Sequence, residues 1–255
     1  MTSGGPDLFH PNYPRANGYD PEWVVENLMG PHPLWLLESL AEVLFIDAGQ
    51  KVLDLGCGKA LTSVFLAREF GARVWATDLW IDAESNRCRI EAAGVGDLVE
   101  VVHAEAHNLP FEAGFFDAIV SVDAYQYFGT ADLYIGYATE LLREGGRIGI
   151  VVPSLVAELG ERIPEELTEF WEWDYCCWHS PQWWRAHWDK TKKVKVDHAD
   201  PIHGGWEDWL RFCEVSEPYL HGWMRQAAVK QAEMLRVDRG KNLGFARVAA
   251  TKVVN

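Results

Sequence analysis

The 255 residues suffice to bury one large core, and no long Pro/Gly/Ser-rich stretch divides them into independent halves. With 48% hydrophobic and 24% charged residues the composition is globular, and the apolar runs are too short and too charge-interrupted to cross a bilayer. A formal net charge of -15 repels a phosphate backbone and argues against nucleic acid as a partner.

Residues 1–7 hold no basic residue and no apolar segment, so neither a secretory signal nor a transit peptide is expected. The five cysteines (Cys57, Cys88, Cys176, Cys177, Cys213) are odd in number and lack a CxxC spacing, which predicts free thiols in a reducing, cytoplasmic setting. Residues 1–20, rich in Pro, Gly and Asn, read as a flexible or draped arm. Apolar spacing behind a leading proline predicts helices over 21–29 and 33–45, joined by the bend Gly30-Pro31-His32.

From residue 51 strands and helices alternate. Strands are predicted at 51–55, 73–77, 99–103, 117–122 and 147–152, and helices at 62–70, 83–93 and 131–142. Strands this rich in Val, Ile, Leu and Ala imply a parallel sheet with helices on both faces. Residues 154–224 hold nine of the thirteen tryptophans and read as a cap, interrupted by one strand near 193–199 whose basic run 190–195 suits a sheet edge. A helix over 217–237 and a strand over 244–253 close the chain. The organisation expected is an N-terminal part, 1–50, and a main α/β domain, 51–255, carrying the cap.

The central motif is Asp54-Leu55-Gly56-Cys57-Gly58-Lys59-Ala60, between a buried strand and a helix. Gly56 and Gly58 permit a sharp turn and a close approach of ligand to backbone. A dinucleotide fingerprint G-x-G-x-x-G needs a third glycine where Leu61 stands, and the acidic Asp54 suits a cationic amino group better than a pyrophosphate. Asp78 ends the second strand 20 residues after Gly58, a position from which a carboxylate can accept from ribose hydroxyls. Glu105 follows the third strand, where it can accept from an adenine amino group, with Leu79 or Trp80 available to cover the ring.

Taken together, DLGCGKA, VWATD, AEAHNLPF, FFDAIVSVDAYQYF and GGRIGIVVP resemble, in order and spacing, the motifs of class I S-adenosylmethionine (SAM)-dependent methyltransferases over residues 51 to about 153. The resemblance implies a Rossmann-like seven-stranded sheet of order 3214576 whose last strand is antiparallel. It implies that SAM is the cofactor, with Gly56 and Gly58 at its methionine part, Asp54 supporting the amino group, Asp78 on the ribose, Glu105 and the Ala106 backbone at the adenine, and Asp123 approaching the methionine tail. It also suggests that the N-terminal helices close over the donor as a lid, hinged at Gly30. One departure is Tyr127, where the family often has His.

A sulfonium methyl group is already activated, so catalysis is mainly in-line alignment, and a base is needed only for a protonated acceptor. His107, Tyr125, Tyr127 and His179 are the candidates. The acceptor is expected to be a small molecule; if some of the tryptophans line its pocket, it is flat, aromatic or amine-containing. His198, His203 and the Cys176-Cys177 pair have no metal-ligand spacing, so no metal is expected. The alternatives are an NAD(P)-dependent oxidoreductase and a non-catalytic SAM-fold interaction protein; the sequence leaves the oligomeric state open.

Overall fold

A computed structural model of the chain describes residues 5–254; the first four residues of the arm and the last residue of the chain lie outside it. Among the described residues, seven strands make one sheet in the order β3-β2-β1-β4-β5-β7-β6. They are β1 (Lys51–Leu55), β2 (Arg73–Asp78), β3 (Val99–His103), β4 (Phe116–Val122), β5 (Leu142–Leu155), β6 (Val194–Pro201) and β7 (Leu243–Lys252). β1 to β5 pair in parallel, while β7 runs antiparallel to both β5 and β6. The order reverses between β1 and β4, and that is where ligands bind in open α/β sheets.

Alternate residues of the strands feed two apolar clusters, one on each face. One cluster takes Val52, Val120 and Val151 with helices α1 (Pro21–Asn27), α2 (Pro33–Ala41) and α3 (Leu61–Phe70); α8 (Gly205–Ser216) and α9 (Gly222–Asp238) pack there too. The other takes Leu53, Ile119 and Ile150 with α6 (Tyr134–Leu141) and α7 (Pro181–Lys190). The polar α4 (Ala83–Ala92) buries only Asn86 and Ile90. A four-residue helix, α5 (Gln126–Gly129), follows β4.

Several boundaries differ from the sequence expectation. α2 stops at Ala41, where the chain tightens into i→i−3 bonds from the Glu42 amide to the Ser39 carbonyl and from the Val43 amide to the Leu40 carbonyl; Leu44 still reaches the sheet, against Gly149. The span 131–142 is a turn followed by α6, and residues 217–221 interrupt the expected last helix with a 3-10 turn holding Pro218, so α9 starts at Gly222. Residues 154–224 are not one cap. Trp184 and Trp188 are fully buried in α7 on one face, whereas Trp209 in α8 packs on Phe245, 4.8 Å between ring centroids, on the other. The stretch between β5 and α7 is irregular, with 3-10 turns at Glu165–Leu167 and Trp173–Cys177.

The arm is draped. Leu8, Tyr13, Ala16 and Tyr19 are buried. Tyr13 donates to Asp208 Oδ2 at 2.7 Å, and His10 Nε2 lies 2.8 Å from Asp208 Oδ1, tying the arm to α8.

Candidate active site

The loop after β1 turns twice through left-handed backbone, at Gly56 (φ +75°) and Gly58 (φ +53°), conformations that glycine adopts without strain. The amides of Gly56 and Cys57 donate to the Thr77 carbonyl at 2.9 and 3.0 Å, which pulls the loop against the end of β2. There the Gly58 amide meets Asp78 Oδ2 at 2.9 Å, while Asp78 Oδ1 accepts from Trp80 and Ile81 amides at 2.7 and 3.0 Å. A carboxylate offers about four lone-pair sites. Three are taken, so in this conformation Asp78 has room for one ligand hydroxyl through Oδ2, not two.

Across the switch point, Asp123 follows β4 with φ +53°, a left-handed conformation that a side-chain-bearing residue holds only when its surroundings impose it. Among the described residues its carboxylate has one weak partner, Gln126 Nε2 at 3.3 Å, and no cation; burial pushes its pKa up to about 7, with the Gln126 hydrogen bond pulling the other way. Between the strand ends lies a cavity of about 320 Å³. Gly56, Gly58, Asp78 and Leu79 line one part of it, Glu105, Ala106 and His107 another, and Asp123 and Tyr127 a third. Met29, Gly30 and Pro31, from the bend after α1, cover it. The cover is close: a Cβ on Gly30 would meet Asp123 Oδ2 at 2.3 Å, and one on Gly58 would meet Met29 Sδ at 2.9 Å.

Residues 52–146 match a family model described as a methyltransferase domain. Methyltransferase GfsG of Streptomyces halstedii is 34% identical over 116 residues, covering 45% of this chain and 42% of the relative. A sarcosine/dimethylglycine N-methyltransferase of Aphanothece halophytica is 30% identical over 179 residues, covering 70% of this chain and 59% of the relative. The chain thus spans about two fifths to three fifths of these relatives. Residues 52–146 thus carry a methyltransferase domain. The chain's fold is shared by the phosphoethanolamine N-methyltransferase 2 of Haemonchus contortus, solved with SAM (TM-score 0.72, 19% identity, 91% of this chain and 56% of that one). It is shared as well by the [4+2]-cyclase SpnF (TM-score 0.69, 18% identity, 87% and 81%).

Not every residue singled out in the sequence reaches the cavity of this methyltransferase domain. Asp54 is buried beneath the loop and does not line the wall: Oδ2 accepts from the Thr62 and Ser63 hydroxyls at 2.6 and 2.5 Å, and burial, opposed by those hydrogen bonds, lifts its pKa to about 6. Oδ2 thereby braces α3 against β1, while Oδ1, also buried, has no partner among the described residues. Tyr125 is fully buried among Trp184, Trp188, Phe128 and Tyr134, and burial drives its pKa far above that of a free phenol, so it is a core residue and no base. His179 also stays away from the wall, stacked on Trp183 at 3.7 Å with Nδ1 3.0 Å from Glu158 Oε2.

Glu105 and His107 pair with each other, Oε1 to Nδ1, at 2.6 Å, which lowers the Glu105 pKa. Tyr127 is half exposed at the mouth, its ring centroid 6.0 Å from that of Trp80. Burial and then the Asp123 charge push its phenol up, so it stays protonated and serves as a donor rather than a base at neutral pH. The sequence reading gave no separate role to Lys59, which also lines the cavity, whereas Asn27 and Met29, in the stretch it expected to close over the cofactor, reach the wall as well. Lys59 stands inside the central motif and carried a signal; Asn27 and Met29 reach the wall only through the way α1 docks.

Proposed function

We propose that the chain transfers the methyl group of SAM to a small-molecule acceptor, and that the acceptor is an amine. The observation that carries the reading is the pairing of two differently held carboxylates on one cavity at the switch point: Asp78, fixed by three backbone donors beside the glycine loop, and Asp123, which has no cationic partner. The donor set fits SAM. Asp78 Oδ2 can accept one ribose hydroxyl, Glu105 and the Ala106 backbone stand where an adenine edge would meet them, and Leu79 offers an apolar face. Asp123 answers a cation at the methionine end. Bound there, SAM supplies an electrophilic methyl group whose leaving thioether is neutral.

The chain's own residues then have to align the acceptor and keep water out. Met29 to Pro31 close the cavity from above. Tyr127 and Trp80 present aromatic faces at the mouth, and such faces attract ammonium groups. Asp174 adds negative potential beside Tyr127. His107, its Nδ1 facing Glu105, keeps Nε2 available to take a proton from an ammonium acceptor. Among the described residues, no helix is long and apolar enough to cross a membrane.

The test is incubation with methyl-labelled SAM and a panel of small amines, carboxylic acids and alcohols, followed by identification of labelled products. Label on amines is expected. Label confined to carboxylates or hydroxyls overturns the amine assignment, and tight SAM binding with no labelled product favours the non-catalytic alternative.

A further inference from the structure

Gly58, whose amide rests on Asp78, has its carbonyl held as well: Asn86 Nδ2 on α4 donates to it at 2.8 Å. Asn86 is 1% exposed, so its amide is locked in place. Its Oδ1 accepts from Arg89 Nη1 at 3.0 Å, and Arg89 Nε donates in turn to Asn27 Oδ1 at 2.9 Å. Asn27 is the last residue of α1, and its own Nδ2 donates back to the Trp23 carbonyl at 2.9 Å. One residue past Gly58, Lys59 Nζ donates to the Glu26 carbonyl at 3.0 Å. The last carbonyls of a helix have no partners within it and carry partial negative charge, so two cations at the C-terminus of α1 are electrostatically matched to it. The segment leaving α1 is the cavity cover.

We propose that Arg89 and Lys59 are positioning residues for methyl transfer: through Asn86–Arg89–Asn27 and Lys59–Glu26 they fasten the cover to the glycine loop that receives the donor. Neither acts on the reacting atoms. Arg89 spans the gap with its planar fork, contacting Asn86 through Nη1 and Asn27 through Nε, two donors held at a fixed angle and separation. A change at the loop carbonyl is therefore passed to Met29 and Gly30, which lie against Gly58 and Asp123. The mechanistic part of this proposal rests on the cavity being the SAM site; the mechanical part does not.

The experiment compares the full-length chain with Arg89→Met, Lys59→Met and, as a control on the same helix, Arg87→Met, whose guanidinium pairs with Glu84 at 2.7 Å. Amide hydrogen exchange of residues 23–33 is read first in the free protein. Arg89→Met should lose at least tenfold in protection there, Lys59→Met less, and Arg87→Met none; Arg89→Lys should not restore it. With saturating SAM, kcat in Arg89→Met should fall at least tenfold while affinity for S-adenosylhomocysteine falls by less than threefold. Unchanged exchange in Arg89→Met overturns the latch, and lost protection with unchanged kcat overturns its positioning role. If the unmodified chain binds no S-adenosylhomocysteine, the cofactor assignment fails, and the latch is still decided by exchange in the free protein.

Discussion

Gly30→Ala isolates the role of Asp123 without disturbing the fold. Gly30 does not have a positive φ, so alanine fits its backbone, and where that holds a Gly→Ala change stabilises by about 0.4–1 kcal/mol through the unfolded chain. The obstacle is local: the new Cβ falls 2.3 Å from Asp123 Oδ2, against 3.4 Å for an ordinary contact, so the carboxylate has to retreat by about 1 Å. Its single 3.3 Å hydrogen bond to Gln126 offers little resistance. A charge-assisted hydrogen bond from a ligand cation contributes about 1.5–3 kcal/mol, so displacing its acceptor should weaken SAM by about tenfold to about hundredfold. Calorimetric titration with SAM, alongside thermal melting, reads both effects: melting unchanged or raised, affinity reduced. A Gly30→Ala protein that binds SAM as the unmodified chain does would refute the placement of a cation at Asp123.

Gly56→Ala should behave differently, because the residue would have to hold φ +75° and its Cβ would fall 2.5 Å from that of Ala124, an atom that cannot swing away; a stability loss of about 2–4 kcal/mol in urea melts is expected, together with loss of SAM binding. Asp78→Ala should weaken SAM at least tenfold by titration, and because Asp78 also holds the Gly58, Trp80 and Ile81 amides, Asp78→Asn should recover only part of the loss. The Asp123 pKa, raised to about 7, makes the protonated form the one the fold prefers, so its stabilising contribution is full below about pH 4 and is lost as pH rises through 7. SAM affinity should run the other way, increasing from pH 5.5 to 7.5 as the carboxylate ionises, and Asp123→Asn should flatten that dependence. Removing residues 5–20 takes away buried Leu8, Tyr13 and Tyr19, each contributing about 1.5–3 kcal/mol, so the truncated chain should melt at a markedly lower temperature.

The sheet was legible because buried parallel strands write themselves as apolar runs, and the glycine loop because two left-handed turns require glycine at Gly56 and Gly58. Asp78 and Asp123 could be found for the same reason: Asp78 ends one readable strand and Asp123 directly follows another. Tyr125 and Tyr127 could not be told apart in the sequence, since residues two apart at the start of a short helix differ only in which side meets the core, and α7 supplied Trp184 and Trp188 to swallow Tyr125. The bracing of Asp54 could not be read because the hydroxyls that hold its Oδ2, on Thr62 and Ser63, belong to the first turn of the following helix. In α8 the helical spacing of Trp209, Phe212, Cys213 and Ser216 was present but hidden by the tryptophan bias of the whole stretch. The Asn86–Arg89–Asn27 chain left no trace, because polar residues on a polar helix gain meaning only from what docks against them.

Titration of the free chain with SAM, and separately with NAD and NADP, tests the central claim most directly. One SAM site per chain is expected, with Asp78→Ala and Gly30→Ala both weakened at least tenfold and no heat from either dinucleotide. Absence of SAM and S-adenosylhomocysteine binding by the intact chain, or saturable binding of NAD in its place, would contradict it.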